Sequence, residues 1–101
     1  IVTGVVAAHD NPPTTSDGAP HRVYNIGNHR SEPLMRLIEI LENALGRKAE
    51  VHMKPMQLGD VKESFADIDA IRNDLGFEPT TPIDVGVPKF VEWFKAYNGY
   101  D

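Results

Sequence analysis

The residues of this chain best suited to chemistry lie in one stretch, Pro55-Met56-Gln57-Leu58-Gly59-Asp60-Val61. Gly59 offers a backbone amide with no side chain beside it, Gln57 a neutral amide and Asp60 a carboxylate. Such a set suits a polar ligand with hydroxyls: the carboxylate accepts from a vicinal diol, and an amide donates to a phosphate oxygen. The same residues also make an ordinary turn in which Asp60 caps its own backbone.

Other candidates have weaker patterns. The 4 histidines, His9, His21, His29 and His52, fall on separate predicted elements, with no pair at metal-ligand spacing. Asp60, Asp67 and Asp69 lack the alternating oxygens and closing glutamate of a calcium loop. Gly27 is not followed by the further glycines of a dinucleotide fingerprint, so this chain is not expected to hold NAD by itself. No Ser/His/Asp or Lys/Tyr grouping is close enough in sequence to argue for catalysis. The expected catalytic, cofactor-binding and metal residues are therefore none.

Composition narrows the classes further. A length of 101 residues allows at most one small domain with a modest core. Without cysteine there is no disulfide, thiol nucleophile or thiolate metal site. A net charge of -5, with no basic run longer than Arg47-Lys48, argues against nucleic acid as a partner. No apolar run is long enough for a membrane span, and no signal peptide is visible, so the expected setting is cytoplasmic.

Around the candidate loop, the clearest element is the stretch from Val23 to Gly46. Val23-Tyr24-Asn25-Ile26-Gly27 is β-prone, Asn28-His29-Arg30 reads as a polar turn, and Ser31 is placed to cap a helix with Glu32 and Pro33 in its first turn. Leu34, Leu37, Ile38, Leu41 and Leu45 recur at helical spacing until Gly46, with Arg47 and Lys48 at the negative end. Ala49 to Lys54 alternates like a half-buried strand, and Glu63 to Ala66 reads as a brief extended piece. Asp67 then caps a short helix carrying Ile68, Ile71 and Leu75, stopped by Gly76, with Phe77 folding back.

The ends are also helical in expectation. The apolar residues Ile1, Val2, Val5, Val6 and Ala8 place a helix over about Ile1 to Asn11, before a Pro/Thr/Ser-rich loop from Asn11 to Pro20. Nothing precedes Ile1 to cap that helix and there is no initiator Met, so the chain is expected to be a fragment of a longer protein. Near the other end, Thr81 caps, Pro82 starts and Asp84 reaches back for a helix burying Ile83, Val87, Phe90, Val91, Phe94 and Tyr97. Pro88 should kink that helix or delay its start, and the tail from Asn98 to Asp101 should fray.

Several of these pieces are familiar together. Tyr24 to Asn28, Leu34 to Gly46, Pro55 to Val61, Phe65 to Ile68 and Asp74 to Thr81, in this order and spacing, resemble the C-terminal part of the extended short-chain dehydrogenase/reductase family. The likeness is strongest to nucleotide-sugar epimerases of the UDP-glucuronate 4-epimerase type and covers essentially the whole chain. It implies an α/β lobe of about four helices and two or three short strands, residues 1–101 forming the substrate-binding part beside a Rossmann domain that carries NAD. It further implies a UDP-sugar substrate epimerised through a 4-keto intermediate, a homodimeric parent protein and a place in surface polysaccharide synthesis.

The family's catalytic Tyr/Lys pair, its Ser or Thr and its glycine-rich turn would all lie upstream of Ile1, leaving this chain inactive alone. Relatives with an Arg-x-Gly-Asp loop use the Arg on the diphosphate and the Asp on the ribose. Here Gln57 replaces that Arg, Leu58 stands where Pro is common, and Asp60 keeps the Asp, so the resemblance implies a UDP-sugar site at Gln57, Gly59 and Asp60. Pro88 is another departure. Helix one would pack beside the cofactor domain, and without it Ile1, Val2, Val5 and Val6 are expected to drive self-association. The readings beside this one are the lobe of a nucleotide-sugar 4,6-dehydratase or decarboxylase, and a stand-alone binding module.

Overall fold

A computed structural model describes residues 1–14 and 18–100; residues 15–17 of the expected proline-rich loop and Asp101 of the expected frayed tail lie outside the described residues. Four helices form: α1 Val2–Asp10, α2 Leu34–Leu45, α3 Asp69–Leu75 and α4 Ile83–Asn98. None is long and apolar enough to cross a membrane. Among the described residues there is no strand, so the helices arise as expected while the α/β lobe with two or three short strands does not.

The physical reason is that a strand exists through a ladder of hydrogen bonds to a neighbour. Val23 to Gly27 and Ala49 to Lys54 stay non-helical, but no such ladder forms on either. The bond from the Ala66 N–H to the Asn28 carbonyl, 2.9 Å, is isolated. Alternation in the Ala49 to Lys54 segment consequently has no face to bury, and both Val51 and Met53 are exposed.

The chain divides into two compact units, Ile1–Ser31 with Lys62–Thr80 and Glu32–Val61 with Thr81–Asp101. In the first, Ile68, Ile71 and Phe77 form the buried cluster, with Tyr24, Ile26, Ala66 and Leu75 packed against it. Gly76 takes a left-handed φ of 68°, which ends α3 and folds Phe77 back as expected. Asp67 acts one step earlier than an N-cap: its Oδ1 accepts from the Asp69 N–H at 3.1 Å, while Ile68 is the capping residue.

Helix α1 closes on this cluster through Gly4. A Cβ at that position would stand 3.0 Å from Phe77 Cδ2 and 3.1 Å from Ile26 Cγ2, so the backbone itself rests on the ring. Gly4 is the buried residue of α1, whereas Ile1, Val2, Val5 and Val6 are at least half exposed. Nearby, the Tyr24 hydroxyl donates to Asp74 at 2.9 Å, and Arg22 reaches the same carboxylate at 3.3 Å. Partial desolvation first, and the Asp74 carboxylate second, push the Tyr24 phenol above its ordinary value.

In the second unit α2 packs on α4. Both helices start from a proline, not from Ser31 or Thr81: the Pro33 carbonyl accepts from Arg36 and Leu37, and the Pro82 carbonyl from Val85 and Gly86. Each proline has an extended ψ that turns its carbonyl into the first helical acceptor, so the side-chain caps are bypassed. Asp84 pairs instead with Arg36, which also holds Glu39 at 2.7 Å. The bond to Asp84 first, and that to Glu39 second, raise the Arg36 guanidinium further above its ordinary value.

The buried residues between these helices are Ile40 and Val91. Ile40 is absent from the expected stripe, which centred the face on Leu34, Leu37, Ile38, Leu41 and Leu45; Leu34 and Leu45 are in fact exposed. Helix α4 runs unbroken through Pro88, so there is no late start. The expected buried aromatics of α4 are also corrected: Phe90, Phe94 and Tyr97 are 55%, 39% and 75% exposed. One helical neighbour covers only the Val91 side.

At the end of α2, Gly46 again takes a left-handed φ, 67°, and the Glu42 carboxylate clamps the chain that leaves it. Its Oε2 accepts from Lys48 Nζ at 2.7 Å and its Oε1 from the Ala49 N–H at 2.9 Å. Lys48 first, then the Ala49 amide, hold the Glu42 carboxyl below the ordinary carboxylate range. A carboxyl lowered in the folded state stabilises at pH above that range, and the contribution is lost as pH falls through the lowered value.

Two outcomes follow from this packing. Gly4→Ala should destabilise the first unit by about 1–3 kcal/mol in urea unfolding, because the added methyl overpacks Phe77 and Ile26; an unchanged midpoint would contradict the contact. The Ala49 amide shift, followed by NMR during acid titration, should report a Glu42 midpoint below that of an ordinary glutamate and move upward in Lys48→Met. A midpoint unaffected by that substitution would sink the clamp.

Candidate functional site

The expected site residues come together in a turn of the second unit. The Glu42 clamp sets the direction in which the chain leaves α2, and an unladdered segment carries it to Pro55. There the Asp60 N–H donates to the Gln57 carbonyl at 3.1 Å, closing a turn with Leu58 and Gly59 at its centre. Gly59 has a φ of +86°, a conformation that glycine adopts freely and other residues rarely do. The turn chemistry thus explains why a glycine stands between the amide and the carboxylate.

Gln57, Gly59 and Asp60 are all exposed, and Leu58 at the tip is 98% exposed. Asp60 Oδ1 accepts from the Val61 N–H at 3.1 Å, the self-capping expected of an ordinary turn. That bond also orients the carboxylate, whose other oxygen has no partner among the described residues. The Gly59 N–H, the Gln57 amide and this oxygen are presented on one tight turn. Chemically, they form an acceptor and two neutral donors without a cation.

The histidines make only local contacts where they are paired. His9 Nδ1 meets Asp10 at 2.9 Å and His52 Nε2 meets Glu50 at 2.9 Å, each an exposed local pair. His29 Nδ1 is enclosed without a hydrogen-bond partner among the described residues. No group of three or more His, Asp or Glu side chains among the described residues is placed to hold a metal ion.

Concave surface in the second unit falls on α2, α4 and the residues just beyond their ends. A cleft of about 350 Å³ is lined by Arg36, Ile40, Asn43, Ala44, Asp84 and Pro88. A larger groove, about 570 Å³, is formed by Leu45, Arg47, Phe94, Lys95 and Tyr100. Arg47 was expected only as a cation for the helix end and Phe94 only as core. The overlooked signal is that Phe94 and Tyr100 flank the end of α4, where a one-sided helix pair leaves large rings uncovered.

No protein-family model matches the chain. It is 42% identical over 87 residues to Protein CapI of Staphylococcus aureus, covering 86% of this chain and 26% of that protein. It is 41% identical over 107 residues to UDP-glucuronate 4-epimerase 6 of Arabidopsis thaliana, covering 98% of this chain and 23% of the relative. The probable UDP-glucuronate 4-epimerase of Rhizobium meliloti (strain 1021) is 42% identical over 89 residues, covering 88% of this chain and 26% of the relative. The chain spans about a quarter of the length of these curated relatives. Similarity of this extent across most of its residues makes these proteins homologues of the chain, which matches the C-terminal part of an epimerase/short-chain dehydrogenase family.

Proposed function

We propose that this chain supplies the UDP-sugar-binding turn of a nucleotide-sugar epimerase that acts on UDP-glucuronate. The observation that carries the proposal is similarity to UDP-glucuronate 4-epimerases over most of the chain, the candidate turn lying within it. In this reading Asp60 accepts hydrogen bonds from the two ribose hydroxyls, its second oxygen pointing to the ligand while Val61 holds the first. The Gly59 N–H donates to a phosphate oxygen, at a position where no Cβ obstructs the approach. Gln57 adds a neutral donor. A neutral side chain here contributes orientation and leaves most of the diphosphate charge to be met by other groups.

The residues of this chain do not fit NAD. A dinucleotide turn needs a strand, a cluster of glycines and a helix N-terminus in succession. Among the described residues no strand exists, and the positive-φ glycines 18, 46, 59, 76 and 99 are scattered singly over loops and helix ends. In this reading the chain's own role is to bind and orient the nucleotide.

Titrating UDP-glucuronate into the chain, with amide NMR as the readout and glucuronate as the control without nucleotide, tests this reading. Shifts should centre on Gln57, Gly59 and Asp60 and follow UDP more than glucuronate. Asp60→Ala should weaken binding about tenfold, the loss of charge-assisted hydrogen bonds. Gly59→Ala should weaken it several-fold by straining the turn. Binding that Asp60→Ala leaves unchanged would contradict the proposal.

A further inference from the structure

We propose that the groove between the C-terminal ends of α2 and α4 is a second ligand site, one for a small anion carrying a flat apolar ring, such as an aryl phosphate. The volume of about 570 Å³ is in the range of small-molecule sites, and its lining combines two aromatic rings with two cations. Phe94 and Tyr100 have ring centroids 5.9 Å apart and an interplanar angle of 35°, a tilted pair that exposes ring surface to the groove. Arg47, exposed, and Lys95, half-buried, complete it.

Charge complementarity selects the occupant. Arg22, Arg36, Lys48 and Arg72 each hold an acidic side chain of this chain, whereas among the described residues neither Arg47 nor Lys95 does. Arg30, Lys54, Lys62 and Lys89 also lack an acidic partner among the described residues, but Arg47 and Lys95 are the two cations that line this groove together with aromatic rings. Helix capping does not account for them. At the end of α2 the Glu42 carbonyl already accepts from the Gly46 and Arg47 N–H groups, and at the end of α4 the Lys95 carbonyl accepts from the Gly99 and Tyr100 N–H groups.

The two kinds of wall call for two parts of one ligand. A phosphate or carboxylate draws charge-assisted hydrogen bonds from the Arg47 fork and the Lys95 ammonium. A ring attached to it buries apolar area against Leu45, Phe94 and Tyr100. A bare anion would leave the rings wet, and a neutral ring would leave the cations unmatched. This site is separate from the Gln57 to Asp60 turn and stands whether or not that turn binds a nucleotide.

The test uses phenyl phosphate as probe, with inorganic phosphate and benzyl alcohol supplying its two halves, titrated into the chain and followed by amide and side-chain NMR. Phenyl phosphate should shift residues 45–47 and 94–100 and bind at least about tenfold more tightly than either half. Arg47→Gln/Lys95→Gln should weaken phenyl phosphate about tenfold and leave benzyl alcohol unchanged. On the unmodified chain, raising salt to about 0.5 M should weaken phenyl phosphate selectively. Phenyl phosphate binding no tighter than inorganic phosphate, salt-insensitive binding, or shifts centred on Gln57 to Asp60 would each overturn the assignment.

Discussion

Among the described residues α1 packs on α3 within the first unit, and α2 on α4 within the second. A helix with a single neighbour can dry only one face. Among the described residues the buried apolar side chains are accordingly Ile68, Ile71 and Phe77 in the first unit and Ile40 and Val91 in the second. Everything else that matters sits around these contacts: the Gly4 backbone on the Phe77 ring, the Arg36 pair with Asp84, and the aromatic row of α4 left open. Rings along that row stand 5.2 to 6.1 Å apart, so they shield one another in place of a second layer.

Signals that act locally were legible in the sequence. Gly46 and Gly76 stop their helices through a left-handed φ that depends on the residue itself, and Phe77 folds back because that geometry sends it there. Ile68, Ile71 and Leu75 could be read as one face because α3 has a partner on that face. Signals that need a distant partner were not legible. Val23 to Gly27 and Ala49 to Lys54 have strand composition, but composition supplies no neighbouring strand. Phe90, Phe94 and Tyr97 keep helical spacing whether or not anything covers them. The proline starts of α2 and α4 also escaped a reading based on side-chain caps, since the first acceptor is a backbone carbonyl.

The candidate turn lies between these cases. Its glycine, flanking amide and carboxylate were legible, and the closing bond from Asp60 to Gln57 is local. The chain that leads to it leaves α2 through the Glu42 clamp, which joins a helical residue to the chain several residues beyond the helix. Glu42 lay outside the apolar stripe of α2 and carried no signal of that job. The groove at Phe94 and Tyr100 depends even more on tertiary placement, because α2 and α4 must first meet before Arg47 and Lys95 share a surface.

Intermolecular nuclear Overhauser contacts between UDP-glucuronate and the chain would test the central claim most directly. Cross-peaks are expected from the ribose protons to the Gly59 and Asp60 amides, with none from those protons to Phe94 or Tyr100. Ribose cross-peaks confined to the aromatic groove, and absent at Gly59 and Asp60, would contradict the assignment of the nucleotide to the turn.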